Sequence, residues 1–315
     1  MNLSGPIIAL DIGGTAIKSA LISTDGTILK NQSLPTDAGK GLQHILNRLK
    51  ESIQSVFSTE AAGIGVGVPG CVDPDTGMVQ WIENIPELNE CRIVEHIQNQ
   101  FQLKTVVDND ANNAARGEFF FGSGKGSRNM LAITLGTGVG GGLFLNEKIH
   151  RGSTHYAGEI GHMVSVPDGA KCSCGKYGCL EAYASATAIR DRALAEKKRG
   201  LSPGLNGLSE NMVDVEKVFL LAKEGDDVCK NIIFEAGRAL GIGIGNVINL
   251  LNLDSVVVGG GMAAAGDALL STVKTYAARA SLPISYRNCK IVAGKLVNSA
   301  GVLGAAALLL MKDDP

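Results

Sequence analysis

Twice in this chain a strand runs into glycines and a threonine and is followed by two further strands, and this repeat limits the possible folds more than any other feature. The first copy reads Ile7-Ile8-Ala9-Leu10-Asp11, then Ile12-Gly13-Gly14-Thr15, then Ala16 to Ser23, the turn Thr24-Asp25-Gly26 and a third short run. Glycine and Asp-Gly turns between apolar runs predict an antiparallel meander. The second copy runs from Met130 to Leu135, through Gly136-Thr137-Gly138-Val139-Gly140-Gly141-Gly142, into a strand, a turn at Asn146-Glu147 and another strand. One glycine-rich hairpin could be an accident. The same layout twice implies an internal duplication, with two α/β halves facing each other across a cleft.

The stretches between and after the copies supply the helices such halves require. Apolar spacing predicts helices over 41–57, 93–101 and 111–121, strands over 64–68 and 104–107, and a loop-rich segment over 71–90. Later helices are expected at 182–198, 213–224 and 226–251, with a polar loop at 200–210. The last of these helices is spotted with Gly237, Gly241, Gly243 and Gly245, as close packing against another element would need. A buried strand at 255–258 runs into Gly259-Gly260-Gly261-Met262, followed by a helix over 263–280, a strand at Ile291-Val292 and a helix over 299–311.

Three junctions carry chemistry. The Gly13-Gly14-Thr15 turn offers bare N–H groups and a hydroxyl suited to phosphate oxygens. Asp11 at the strand end can hold a hydrated magnesium ion, with Lys18 as a nearby cation. Asp108-Asn109-Asp110 stands between a strand's carboxyl end and a helix start, where ligands bind in open α/β folds and where the helix dipole favours a carboxylate. One of the three is expected to cap the helix, and three in a row exceed what capping needs. The third junction, Gly259 to Gly261, can receive a flat nucleoside against bare backbone.

A fourth stretch is of a different kind. His162, Cys172, Cys174 and Cys179 fall within eighteen residues, among glycines and polar residues unable to build a core. Three thiolates and an imidazole can close a tetrahedral zinc site. Buried free cysteines are the plainer alternative. Gly175 and Gly178 beside the thiols favour the metal, as turns that fold the chain around an ion. Glu159 and Glu181 bracket the four ligands and would be fixed by such a knot.

Composition excludes several classes. With 29 Lys and Arg against 31 Asp and Glu, the net charge of −2 shows neither a basic patch for nucleic acid nor an acidic tail. The longest late apolar run, 305–311, is too short to span a membrane, and no signal peptide pattern opens the chain. Seven mostly scattered cysteines fit a reducing, cytoplasmic compartment.

Taken together, the motifs Asp11-Ile-Gly-Gly-Thr-Ala-Ile-Lys18, Asn109-Asp110, Leu135 to Gly142, Ala157-Gly-Glu-Ile-Gly-His162, the cysteine knot ending in Cys179-Leu-Glu181, and Gly259 to Gly261 resemble the ROK family of repressors and sugar kinases. That family lies within the actin-like ATPase superfamily, and the wording around His162 and Cys179 is most similar to its glucokinase branch. The resemblance covers essentially the whole chain. It implies two ribonuclease H-like α/β domains, each a mixed five-stranded sheet flanked by helices. The expected division is 1–120, completed by the C-terminal helix 299–315, and 121–298 with the zinc-binding loop.

The resemblance also assigns roles. Asp110 would be the general base for the sugar's 6-hydroxyl, with Asn84, Asn109, Glu159, His162 and Glu181 on the other hydroxyls. Gly13, Gly14, Thr15, Lys18, Thr137 and Gly138 would hold the triphosphate of ATP, Asp11 the Mg2+ through water, and Gly260 and Gly261 the adenosine. His162, Cys172, Cys174 and Cys179 would bind a structural Zn2+. Glucose is the expected sugar, with N-acetylmannosamine, N-acetylglucosamine or fructose as alternatives, and a homodimer or homotetramer the expected assembly. The family's repressors carry a helix-turn-helix ahead of the first meander, and with a strand beginning by Pro6 or Ile7 none is expected here. A second rival, an assembly or chaperone ATPase, lacks reason for the sugar-site residues. Thr154-His155-Tyr156 and Glu87-Leu88-Asn89 depart from the family's commoner wording.

Overall fold

The computed structural model describes residues 4–261 and 267–311. Met262 and the first four residues of the helix expected over 263–280 lie outside the described residues, as does the end of the C-terminal segment, 312–315. The chain divides into two compact units: residues 1–126, 142–157 and 298–315 form the first, and 127–141 with 158–297 the second. Residues 142–157, which the sequence reading left in the second domain, thus belong with the first unit.

The strands and helices of the first half follow in chain order as β1 Ile7–Ile12, β2 Ala16–Ile22, β3 Ile28–Pro35, α1 Leu42–Val56, β4 Gly63–Val68, β5 Cys71–Asp73, β6 Met78–Trp81, α2 Ile93–Phe101, β7 Thr105–Asn109 and α3 Asp110–Phe121. The second half continues with β8 Met130–Leu135, β9 Val139–Leu145, β10 Lys148–Ile149, α4 Glu181–Ala184, α5 Ala186–Lys198, α6 Pro203–Asn206, α7 Val215–Glu224, α8 Asp227–Leu251, β11 Ser255–Gly259, α9 Asp267–Ala280, α10 Pro283–Arg287, β12 Lys290–Ala293 and α11 Ala300–Leu310.

The first sheet has the order β3-β2-β1-β4-β7, antiparallel between β1, β2 and β3 and parallel between β1, β4 and β7. The second has the order β10-β9-β8-β11-β12, with β8, β11 and β12 parallel. Strand for strand this is the same succession, so the duplication read from the glycine turns extends to the whole sheet. Central strands β1, β4 and β11 are buried along nearly their full length, which is why they read as unbroken apolar runs.

Helix α1 lays Ile45, Leu49, Ile53 and Val56 against Ile8, Leu10 and Ile12 of the first sheet. Each such side chain contributes about 1.5–3 kcal/mol when fully buried. Helix α11 comes close enough to that sheet and to α3 for glycines to be mandatory. A Cβ on Gly65 would lie 1.8 Å from the carbonyl oxygen of Ala305, and one on Gly304 only 1.5 Å from that of Asn113. In the second unit the spotted helix α8 meets α9 through Gly237, Gly241 and Gly245. Added Cβ atoms there would fall 2.8 Å from Thr272 and 2.6 Å from Tyr276 and Ala280. Rows four residues apart on both helices are the ridges of ordinary close helix packing.

Four expectations change. The loop-rich segment 71–90 holds the small antiparallel hairpin β5–β6, turned by Asp73, whose Oδ1 accepts the N–H groups of Asp75 and Thr76. Gly140, Gly141 and Gly142 lie inside β9 rather than in a turn, and an added Cβ would fall 2.4 Å from Gly158 O at Gly141 and 2.4 Å from the Ala115 methyl at Gly142. The helix expected over 182–198 breaks at Ser185, whose extended backbone lets its hydroxyl accept the N–H of Ala188 and start α5 afresh. The polar loop at 200–210 contains α6. No helix among the described residues is long and apolar enough to cross a membrane.

Candidate active site

In the first unit the turn after β1 is held from below. Gly13 donates its N–H to Ala16 O at 2.9 Å, Thr36 Oγ1 donates to Gly13 O at 2.6 Å, and Thr36 N donates to Thr15 O at 3.0 Å. The upper side of the turn is left to solvent, with Thr15 exposed. A Cβ on Gly14 would lie 3.2 Å from that of Asn84, so the turn and Asn84 are direct neighbours. Asp11 stands opposite Lys18 in the β1–β2 register. Burial pushes the Asp11 carboxyl up, against the partial opposing pull of Lys18. Room for that carboxyl is made by Gly301, where a Cβ would come within 2.5 Å of Asp11 Oδ2. A buried oxygen ligand with one cationic neighbour is suited to a second cation, and magnesium is a hard ion that takes carboxylates through its waters.

Two strands along, β7 delivers Asn109 and Asp110 to the start of α3. Asn109 is the cap: its Oδ1 accepts the N–H groups of Ala111 at 2.8 Å and Asn112 at 3.1 Å, and its Nδ2 donates to Gly70 O at 3.0 Å. Asp110 is then the first helical residue, its Oδ1 2.8 Å from Ala111 N, with the helix dipole favouring its negative charge. Beneath them lies Asp108, fully buried. Burial alone would raise its carboxyl, but the guanidinium groups of Arg116 and Arg151 outweigh it and hold Asp108 below the usual carboxylate range.

In the second unit the glycine turn between β8 and β9 is closed by Gly136 N to Gly138 O at 3.0 Å. It is pinned from α5 by Ala186 N to Gly136 O and Thr187 Oγ1 to Thr137 O, both 2.8 Å. Glu181 lies directly against it: Oε2 accepts Val139 N at 2.9 Å and would be 2.6 Å from a Cβ on Gly138. The other oxygen, Oε1, accepts the Ser173 hydroxyl at 2.9 Å and lies 3.8 Å from Cys172 Sγ. The Glu181 carboxylate therefore bridges the glycine turn and the cysteine loop. At the end of β11, a Cβ on Gly260 would lie 2.4 Å from Leu135 O, so its backbone rests on the strand that feeds the turn. Gly261 is open, with nothing among the described residues within 4 Å of such an atom.

The Cys/His cluster has metal-site geometry. One ligand atom from each of His162, Cys172, Cys174 and Cys179 falls within 4.8 Å of all the others. Cys174 and Cys179 sulfurs are 3.7 Å apart, and Cys172 Sγ is 3.8 Å from His162 Nδ1. A tetrahedron with Zn–S of about 2.3 Å has edges of roughly 3.8 Å between sulfurs. The separation is far too long for a disulfide, and all three cysteines are free. Burial, then the neighbouring Cys174 and Cys172, push the Cys179 thiol up to about 12, so a cation is what would hold it as thiolate. Gly175 and Gly178 both have positive φ, and at Gly178 a Cβ would strike Val166 O at 1.9 Å. The four residues fit zinc, and they leave it no open position. His162 turns its other nitrogen, Nε2, toward the exposed Glu159 at 3.9 Å.

With these turns in place, the sequence model of the ROK family matches residues 7–312. The chain belongs to the ROK family. It is 35% identical to a glucokinase of Halalkalibacterium halodurans over 98% of this chain and 96% of that protein. It is 34% identical to a glucokinase of Thermotoga maritima over 96% of each. Among solved structures it is similar to a ROK glucokinase of Streptomyces griseus in complex with glucose and AMPPNP. That likeness has a TM-score of 0.83 and 30% identity and covers 96% of this chain and 99% of that one. The fold is the α/β actin-like ATPase fold of ROK sugar kinases, with mixed sheets flanked by helices.

Within the first unit of this ROK protein, Asp11, Gly13, Gly14, Thr15, Lys18 and Asn84 gather at the first turn, and Asn109 and Asp110 at the end of β7. Gly67 of β4 lies between Asp11 and Asn113 of α3, with room for no side chain. Within the second, Thr137, Gly138 and Glu181 gather with the cysteine loop, His162 and Glu159. Sequence reasoning missed Thr36, which clasps the first turn, and the pair Arg116 and Arg151. The only trace of Arg116 in the sequence was an arginine among alanines on the buried face of a helix.

Proposed function

We propose that this protein is an ATP-dependent hexokinase that phosphorylates the 6-hydroxyl of glucose. The observation that carries the reading is Asp110 at the start of α3, an acceptor at a strand's carboxyl end in a chain bearing two glycine turns of one topology. The glucose and AMPPNP held by the Streptomyces griseus glucokinase support the same substrates here.

In this mechanism Asp110 accepts the proton of the sugar's 6-hydroxyl as its oxygen bonds to the γ-phosphorus. The bond from that phosphorus to the β,γ-bridging oxygen breaks, and ADP carries the electron pair away. Asn84, Asn109, Glu159, His162 and Glu181 orient the remaining hydroxyls. The N–H groups at Gly13, Gly14 and Gly138, the Thr15 and Thr137 hydroxyls and Lys18 hold the phosphates, and Gly260 and Gly261 border the adenosine. Asp11 would hold magnesium, which would supply charge neutralisation on the phosphates, since phosphoryl transfer depends on positioning and electrostatics. His162, Cys172, Cys174 and Cys179 would hold a zinc that would supply no chemistry and would fix the loop that presents Glu159 and Glu181. Self-association as a homodimer or homotetramer is supported by exposed Leu250, Leu282 and Ile284, apolar side chains at one end of α8 and the start of α10.

A coupled assay with glucose, fructose, N-acetylglucosamine and N-acetylmannosamine, each with ATP and with polyphosphate, tests the reading. Glucose with ATP is expected to give the highest kcat/KM. Asp110→Asn preserves shape and removes the acceptor, so kcat should fall roughly 10²–10⁴-fold with sugar affinity changed far less. Near-normal turnover in that variant would refute the assignment of Asp110 as base.

A further inference from the structure

Asp108 is held more firmly than a buried carboxylate requires. Its Oδ2 accepts Arg116 Nη2 at 2.6 Å, Arg151 Nη2 at 2.9 Å and Arg151 Nε at 3.0 Å. Its Oδ1 accepts the N–H of Asn109 at 2.7 Å and Asn112 Nδ2 at 3.1 Å. Arg116, on α3 itself and fully buried, already supplies one positive charge, and it is also fastened to Asn113 Oδ1 at 3.1 Å. Arg151 comes from 43 residues along the chain and is also nearly buried. Taking a second guanidinium out of water costs desolvation that neutralising Asp108 alone does not recover. What the second cation adds is an attachment.

The attached segment is a closed loop. Ala157 N donates to Arg151 O at 2.9 Å, so residues 151–157 begin and end at one neck, and Arg151 is that neck. Farther round, the Tyr156 hydroxyl bonds to Gln80 of β6, and His155 Nε2 lies 3.9 and 3.8 Å from Asp73 and Asp75 of the β5–β6 hairpin. Ala157 leads directly into Gly158 and Glu159. On the other side of the ion pair, the Asn109 N–H rests on the same Asp108 carboxylate, and Asn109 both caps α3 and reaches Gly70 O. One carboxylate thus joins the loop neck to the backbone that presents Asn109 and Asp110.

We propose that Arg151 is a positioning residue for the sugar, acting through Asp108 to lock the β7–α3 junction and the neck of loop 151–157 in one register. The sugar part of this assignment rests on the kinase reading above; the lock itself does not. Without Arg151, Asp108 follows Arg116 alone, and the direction in which it holds the Asn109 N–H changes. Asp110 then presents its carboxylate from a junction with more freedom. Misplacement of about 1 Å at a reacting group can cost about a hundredfold in rate.

Arg151→Met keeps the aliphatic stem and removes both donors, while Arg151→Lys restores the charge and one donor. In the intact enzyme, Arg151→Met should lower kcat/KM for glucose roughly 10- to 100-fold, with KM for ATP within about twofold of wild type. Arg151→Lys should recover part of that loss, and both variants should melt close to wild type because Arg116 still pairs Asp108. A merely structural role predicts the reverse: kcat falling with the melting temperature, both KM values unchanged, and Lys no better than Met. Hydrogen exchange gives a readout independent of activity. In Arg151→Met, amides of 108–112 and of 151–157 should both exchange faster, with those of 255–261 unchanged. Faster exchange confined to 151–157, or unaltered glucose kinetics, would overturn the proposal. If the wild-type protein phosphorylates no sugar, the kinase reading fails, and the exchange pattern alone still decides whether the lock exists.

Discussion

Asp11, the residue proposed to hold magnesium, is placed at the expense of the fold. It faces Lys18 across the β1–β2 ladder, yet burial dominates and raises its carboxyl above the ordinary 3.8. A raised folded-state value means the fold favours the protonated form. The associated stability is fully present below the unfolded value and is lost as pH rises through the folded one, so at pH 7 ionised Asp11 weakens the apo protein. Asp11→Asn should therefore unfold at an equal or higher denaturant concentration than wild type at pH 7, while magnesium-dependent phosphoryl transfer collapses. Denaturant titration and the coupled assay read both halves. A variant that is inactive and also clearly less stable would mean that attraction to Lys18, rather than burial, governs the site.

At the scale of elements, the cysteine loop is where sequence and structure agree most closely. Glycine at 175 and 178 pointed to turns, the resemblance to the ROK family added the four ligands, and the structure brings those four ligand atoms together. What spacing could not reveal is that Glu181 reaches past the loop to Val139 N and Gly138. Losing the metal should therefore disturb the glycine turn as well as the sugar side. The purified protein is expected to carry about one zinc per chain. Cys174→Ala, or prolonged chelation, should abolish sugar binding, weaken ATP binding by a smaller factor, and speed hydrogen exchange over 160–181 while β1–β4 stays protected. Metal analysis finding no zinc in a fully active preparation would sink this, as would unchanged sugar affinity in Cys174→Ala. Other elements were hidden for identifiable reasons. Strands β5 and β6 are three and four residues long, too short for any periodicity to show. The break at Ser185 lies between two stretches of equally good helix formers. The Asp108–Arg151 pair joins residues far apart in a single sequence, where no local pattern can announce it.

For the whole molecule, the duplicated sheet was legible because glycine turns and buried strands are local signals repeated in order, whereas the electrostatic balance depends on partners that only folding supplies. At pH 7 the chain nearly balances 31 carboxylates against 29 lysines and arginines. Among the carboxylates that lie below the usual range, Asp108 and Asp226 do so although burial, the largest single effect on each, pulls them the other way: Asp108 through Arg116 and Arg151, and Asp226 through the Ser202 hydroxyl and the N–H groups of Cys229 and Gly204. A depressed folded-state value gives stability that is present above the unfolded value and lost as pH falls through the folded one. The denaturant midpoint should hold from neutrality down to about pH 4 and then drop steeply, as ordinary carboxylates also protonate and the basic groups are left unopposed. Asp11 works in the opposite sense, since its protonation relieves burial of charge, so a shallow rise in stability should precede the drop and be missing in Asp11→Asn. In Arg151→Met the folded-state value of Asp108 moves toward the unfolded one, and the acid limb should be less steep. Midpoints measured at intervals from pH 7 to pH 3 for the three proteins check this, and an acid limb of equal slope in wild type and Arg151→Met would remove Asp108 from among the groups that set acid stability.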